Sequence, residues 1–311
     1  MADYWEALSA RLAGVVAIPV TPFDQAGAVD ERAYTALIER LVGAGIGVLT
    51  PNGNTGEFYA LSEAETRTCV ELTARAAGSR AVVLAGVGHD VAGAISGAEH
   101  AREAGAELVM VHQPVHPYVS TDGWVAYHRA IAEAVPDLGV VPYLRNPAID
   151  GSALAELGAA CPNVLGVKYA VPDPVRFASV ARDAGLSRFV WIAGLAELSA
   201  PGYFAVGATG FTSGLVNVHP AASLRMFDAL THGDFAGAMK VWERIRPFEE
   251  LRAANSSAAN VSVVKDALAR LGLCRPDVRP PSTPLSPGDG ERVAALLKTW
   301  ELAPVAGATG A

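Results

Sequence analysis

Val164-Leu165-Gly166-Val167-Lys168-Tyr169-Ala170 is an apolar run holding one charged side chain, and its reading decides the fold. Its length and β-branched content are those of a fully buried strand. A buried ammonium is expensive, and the usual escape is a pKa lowered by several units. A lysine made neutral in that way attacks carbonyl carbon and can form a Schiff base. Lys240, Lys265 and Lys298 are the only other lysines, and all three lie in stretches with the pattern of amphipathic helix. Imine chemistry in this chain therefore has one sensible candidate, Lys168. A strand-end lysine reaching back to solvent is the alternative reading of the same run.

Seven further runs resemble this one. Candidate strands fall at 15–20, 47–51, 81–87, 108–112, 139–143, 164–168, 189–193 and 209–213. Ala-rich helical patterns alternate with them at 30–44, 62–77, 91–104, 122–135, 152–160, 175–184 and 198–206. Ser62 and Glu65 have the spacing of a capping box. Eight strands with helical crossovers predict a parallel (β/α)8 TIM barrel of the α/β class. A doubly wound sheet would need a phosphate loop, and Gly86-Val87-Gly88-His89 lacks the third glycine of the dinucleotide spacing. After about residue 218 the strands stop. Helices are predicted at 220–231, 235–253, 261–271 and 290–302, with a Pro-rich segment at 279–287 and a disordered tail from 304 to 311. The barrel is thus expected over residues 1–232. A C-terminal helical extension over 233–311 is expected to serve packing and assembly rather than chemistry.

The 311 residues are 51% hydrophobic and only 18% charged, so a large core or subunit interface is expected. A net charge of −8 repels nucleic acid and anionic membranes, and leaves an anionic small molecule possible at a local site. Cys69, Cys161 and Cys274 are isolated, which fits a reducing compartment and no zinc site. The acidic N-terminus lacks the basic and apolar regions of a signal peptide. The longest uncharged stretch is broken by Pro201, Asn217 and Pro220, so no membrane span is expected. The chain reads as cytoplasmic.

In such a barrel, reacting groups sit at the C-terminal ends of strands. The second strand runs into Asn52-Gly53-Asn54-Thr55-Gly56-Glu57-Phe58, where backbone N–H groups could converge on a carboxylate; an ordinary Gly/Asn turn is the alternative. The fifth ends at Tyr143, followed by Arg145 on the same face. A phenol beside a neutral lysine can relay protons, and a guanidinium can clamp a carboxylate. The fourth leads through His112 to His116 and Tyr118, without the convergence of further ligands that a metal site requires.

These segments resemble the dihydrodipicolinate synthase/N-acetylneuraminate lyase family of lysine-dependent aldolases and dehydratases. The resemblance rests on Pro19-Val20-Thr21-Pro22-Phe23, Gly53-Asn54-Thr55-Gly56-Glu57, Tyr143, Gly166-Val167-Lys168, and Asn260 with Lys265 before Leu271-Gly272-Leu273. It implies a TIM barrel, a homotetramer, no cofactor, and a Schiff base from Lys168 to pyruvate or a larger 2-oxo acid. Thr55, with Gly53, Asn54 and Gly56, would hold the substrate carboxylate, and Tyr143 would shuttle protons.

Departures narrow the choice. The synthases have two threonines in the glycine loop, where this chain has Asn54 first, and an arginine where it has Ala148; their relay tyrosine falls near His116. Tyr143-Leu144-Arg145-Asn146-Pro147-Ala148 is instead similar to the corresponding run of 5-dehydro-4-deoxyglucarate dehydratases, in which Arg145 would hold a distal carboxylate. Lys168-Tyr169 and Glu197 are similar to features of N-acetylneuraminate lyases. Thr212, in the eighth run, completes the expected substrate contacts. A barrel that binds a keto acid without turning it over is the non-enzymatic alternative. At a reference pKa of about 10.4 only about 0.04% of a lysine is free amine at pH 7; lowering that value by about 3 frees about a third, for about 4 kcal/mol.

Overall fold

The computed structural model describes residues 2–304. Eight parallel strands close into a barrel in chain order: β1 (Val15–Ala17), β2 (Val48–Leu49), β3 (Val82–Val87), β4 (Leu108–Val111), β5 (Gly139–Leu144), β6 (Gly166–Tyr169), β7 (Val190–Ala193) and β8 (Gly210–Ser213). β8 pairs back to β1, with Thr212 opposite Val16. The helix α1 (Ala2–Leu12) precedes the barrel. The crossovers are α2 (Glu31–Gly43), α3 (Glu63–Ala77), α4 (Val91–Glu103), α5 (Thr121–Ala134), α6 (Gly151–Ala160), α7 (Pro174–Ala184) and α8 (Ala196–Phe204). Then come α9 (Pro220–Thr231), α10 (Phe235–Ser257), α11 (Asn260–Arg270) and α12 (Pro287–Thr299). This is the TIM barrel with C-terminal helices that the alternating pattern predicts.

Helix starts are set locally. Asp30, Asp90, Ser120, Asp150 and Asp173 each accept a backbone N–H in the first turn, and Ser62 with Glu65 forms the reciprocal capping box. Each such cap stabilises its helix by about 1 kcal/mol.

Successive strand residues face opposite ways. Val16, Val48, Leu84, Met110, Val141 and Ile192 fill the barrel interior, while the alternate residues pack outward under the helices. α1 has no counterpart among the sequence expectations: its Leu8 and Leu12 plug the N-terminal end of the barrel and join the interior cluster. The opposite end is left for chemistry.

The outer core does not stop at residue 232. Phe248, Val264, Leu268 and Trp300 belong to the same hydrophobic cluster as the barrel's outward faces. α10 breaks at Ala254 to Ser256, where Asn255 and Ser256 are left-handed, and Ser257 follows at φ 66°. The expected disordered tail falls almost wholly on 305–311, outside the described residues. Among the described residues, no helix is long and apolar enough to cross a membrane.

Candidate active site

Parallel pairing sets Lys168 of β6 directly against Tyr143 of β5 on one side and Ile192 of β7 on the other. Register neighbours in a parallel sheet point the same way, so both polar groups enter the barrel at its C-terminal end. Lys168 is 4% exposed. Its Nζ lies 4.0 Å from the centre of the Tyr143 ring and 3.5 Å from Met110 Sδ. No carboxylate pairs with it among the described residues. Burial, and secondly the charge of Arg145, pull its pKa down to about 7. About half the amine is then free at neutral pH, and the ammonium is penalised by about 5 kcal/mol relative to water.

The glycine loop approaches from β2. It forms two short 3₁₀ turns, Asn54–Gly56 and Phe58–Ala60, joined by Glu57 in a left-handed conformation. A side chain at Gly53 would meet Ile18 Cγ2 at 2.4 Å, and one at Gly56 would meet the Pro19 carbonyl at 2.9 Å. Both glycines are thus required for the loop to lie against the end of β1. Asn54 Nδ2 donates to the Tyr143 phenol oxygen (3.3 Å), leaving Asn54 Oδ1 buried without a partner. Burial raises the Tyr143 pKa, against the opposing pull of Arg145 and Asn54, so the phenol keeps its proton for donation. Thr55 is buried at the floor of the same space.

A cavity of about 400 Å³ brings these groups together. Asn54, Thr55, Tyr143, Arg145, Lys168 and Thr212 all line it. Arg145 is exposed at its mouth, and its guanidinium makes no ion pair among the described residues. Gly53, Gly56, Glu197 and His116 do not line it. Glu197 is fully buried behind β8, where Oε1 accepts from Ser213 and Ser223. Burial, then the Glu249 charge, raise its pKa to about 7. Ser213 faces outward because Thr212 faces inward, and Glu197 follows Ser213. His116 is exposed on the loop after β4, with Nδ1 beside the Tyr118 carbonyl and amide.

Two contributions escaped the sequence reading. His112 is fully buried, its ring stacked 4.2 Å from Phe58 and 6.0 Å from Tyr143. Its Nε2–H donates to the Asn52 carbonyl, so the unpartnered Nδ1 carries the lone pair. Burial holds its pKa near 3, and the ring is neutral. The second is the C-terminal wall: Glu249, Arg252, Ser257 and Asn260 line the cavity that holds Lys168. The extension expected only to pack therefore closes one side of the site. Glu249 and Arg252 lie within a stretch read only as helix, and no local signal marks the chain's return over the barrel.

The glycine loop is also anchored from that region. Buried Lys265 donates to Glu57 Oε2 and to the Asp277 carbonyl, and Arg279 N donates to Glu57 Oε1 at 2.8 Å. A second cavity of about 380 Å³ lies between Phe58, Arg67 and His89; it has no lysine, so imine chemistry belongs to the first. No cluster of three or more His, Cys, Asp or Glu able to hold a metal is present among the described residues. What the first cavity holds is a neutral-capable amine beside a protonated phenol, with the Asn54 amide and the Thr55 hydroxyl on the same wall, groups that can form an imine with a carbonyl compound.

Known proteins carry the same framework. Residues 11–300 match the dihydrodipicolinate synthetase family. The chain is 33% identical over 297 residues to a probable 5-dehydro-4-deoxyglucarate dehydratase of Rhizobium rhizogenes, covering 94% of this chain and 96% of that one. It is 36% identical over 289 residues to a 4-hydroxy-tetrahydrodipicolinate synthase of Phenylobacterium zucineum, covering 92% and 96%. Among solved structures, the dihydrodipicolinate synthase of Oceanobacillus iheyensis superposes with a TM-score of 0.91 at 38% identity, covering 96% of this chain and 99% of that one. With this framework around its cavity, the chain belongs to the dihydrodipicolinate synthetase family and is an enzyme of the class I, lysine-dependent Schiff-base lyases and aldolases.

Proposed function

We propose that the chain dehydrates a deoxy-keto sugar diacid, 5-dehydro-4-deoxyglucarate or a close analogue, through an imine on Lys168. The observation that carries this reading is Arg145: an unpaired guanidinium at the cavity mouth, on the same strand end as Tyr143. A cation there suits a substrate with a second carboxylate beyond the reacting carbons. The run Tyr143-Leu144-Arg145-Asn146-Pro147-Ala148 and the Rhizobium rhizogenes relative support the same choice.

The free amine of Lys168 adds to the keto carbon, and Tyr143 donates the proton with which the carbonyl oxygen leaves as water. The protonated imine then draws electrons from the adjacent carbon once a proton is removed there. That electron pair expels the hydroxyl on the next carbon, which leaves as a second water when protonated. Hydrolysis of the imine returns the amine. Thr55 and the Gly53–Gly56 loop hold the proximal carboxylate, and Thr212 borders the chain of the substrate. Asn54 Oδ1, buried and unpartnered, is placed to accept from a substrate hydroxyl. Glu197 we assign to supporting β8, and His116 to the loop surface. We propose assembly as a homotetramer, which mass photometry would test. The three free cysteines suit a cytoplasmic setting.

A second reading, a pyruvate aldolase or 4-hydroxy-tetrahydrodipicolinate synthase, is favoured by the similarity to the Phenylobacterium zucineum and Oceanobacillus iheyensis proteins. The test offers the enzyme 5-dehydro-4-deoxyglucarate in one assay and pyruvate with an aldehyde acceptor in another. Turnover of the diacid with little condensation is expected; condensation at a higher kcat/KM overturns the dehydratase reading.

A further inference from the structure

The cationic group that reads the substrate's proximal carboxylate comes from outside the barrel: we infer that Arg252, in the C-terminal helices, is that group. This rests on the imine reading of Lys168 above and names a binding residue for it. Two observations carry it. Arg252 is 5% exposed, yet it lines the cavity that contains Lys168 and Thr55. A side chain at Gly214 would meet Arg252 Nη2 at 2.2 Å and Thr55 Oγ1 at 3.2 Å, so the guanidinium and the threonine hydroxyl converge on one point. Gly214 is bare because Arg252 occupies the room a Cβ would need.

The guanidinium is held rigidly. Nη1 donates to Glu249 Oε1 (2.6 Å), Nη2 to Asn260 Oδ1 (2.7 Å), and Nε to the Asn260 carbonyl (3.4 Å). A guanidinium has five N–H groups, so two remain for an occupant of the cavity. A planar fork fixed by a carboxylate and an amide, beside a free hydroxyl, is chemistry for a carboxylate. Arg145 follows the C-terminal end of β5 and lines the same cavity, beside Lys168 and Tyr143. The two arginines mark opposite ends of the bound molecule. A dianionic substrate then has one orientation, with its keto carbon over Lys168.

The test uses the full chain and borohydride trapping on Lys168, read by intact mass, with pyruvate and with neutral hydroxyacetone as probes. Arg252→Met should raise the pyruvate concentration for half-maximal trapping about 10–100-fold, the loss expected for one charge-assisted contact. Hydroxyacetone should be unchanged within about twofold, and Arg252→Lys should restore part of the pyruvate response. Because Arg252→Met strands Glu249, the charge-balanced pair Glu249→Gln with Arg252→Gln is measured alongside; it should show the same selective loss. Pyruvate trapping unaltered in both variants, or pyruvate and hydroxyacetone weakened equally, overturns the assignment while leaving the Lys168 reading intact. A parent chain that traps neither probe overturns both.

Discussion

Two lysines in this molecule are almost equally buried and do opposite work. Lys168 is 4% exposed and Lys265 is 0%. Burial lowers the pKa of both. Lys265 is opposed in this by the Glu57 carboxylate, shares the Asp277 carbonyl, and lies 4.0 Å from the centre of the Phe23 ring. Lys168 has a thioether and a phenol ring, with a guanidinium adding to its penalty. The comparison teaches that burial alone does not make a reactive lysine. The missing anion does. The same chain uses one ammonium as a strut for the glycine loop and withholds a partner from the other.

The largest break in that comparison is Lys168→Met. Turnover should fall by about 10⁴-fold or more, since no other lysine among the described residues lines the cavity. Stability should move the other way, rising by about 2–4 kcal/mol at pH 7 as a disfavoured charge is removed. The sign of the pH dependence is fixed. Lys168 titrates near 7 in the folded chain and near 10.4 unfolded, so between those values the unfolded chain holds the extra proton. Parent stability therefore falls as pH drops from about 10.4 to 7 and is level below. The variant's advantage should shrink above pH 7 and vanish near pH 10.5; thermal melts across that range measure it.

Lys265→Met should do the reverse. It strands the buried Glu57 carboxylate and should cost about 3–5 kcal/mol in denaturant melts, with Glu57→Gln in the same chain recovering most of it. A double variant whose cost equals the sum of the two single-variant costs would show that the pair is not coupled.

How visible this contrast is in the sequence depends on what surrounds each group. Lys168 announces itself because a charge breaks an apolar run, and Tyr143 and Arg145 follow from strand alternation. The barrel is legible for the same reason, since buried β-branched runs have few other uses. Glu57 and Lys265 lie 208 residues apart and only the closed fold joins them. Arg252 lies in a stretch whose helical pattern does not show which side chains return to the barrel, and His112 reads only as a strand end until Phe58 covers it. α1 escaped because an amphipathic helix at a chain start differs little from an exposed one until the barrel floor receives it.

A smaller effect separates chemistry from folding. Tyr143→Phe should leave the melt within about 1 kcal/mol, losing one long contact from Asn54, and slow imine formation by about 10²–10⁴-fold in single-turnover trapping as the proton donor is removed. The smallest concerns the turn at the cavity wall. Ser256 is left-handed without being glycine, so Ser256→Gly should stabilise the chain by about 0.5–1 kcal/mol with turnover unchanged.

The most direct measurement is reductive trapping with pyruvate at a series of pH values, followed by peptide mass mapping. A single adduct on Lys168, with initial trapping rates that rise through a midpoint near pH 7, is the predicted result. An adduct on Lys265, Lys240 or Lys298, no adduct at all, or a midpoint near pH 10 would contradict the account.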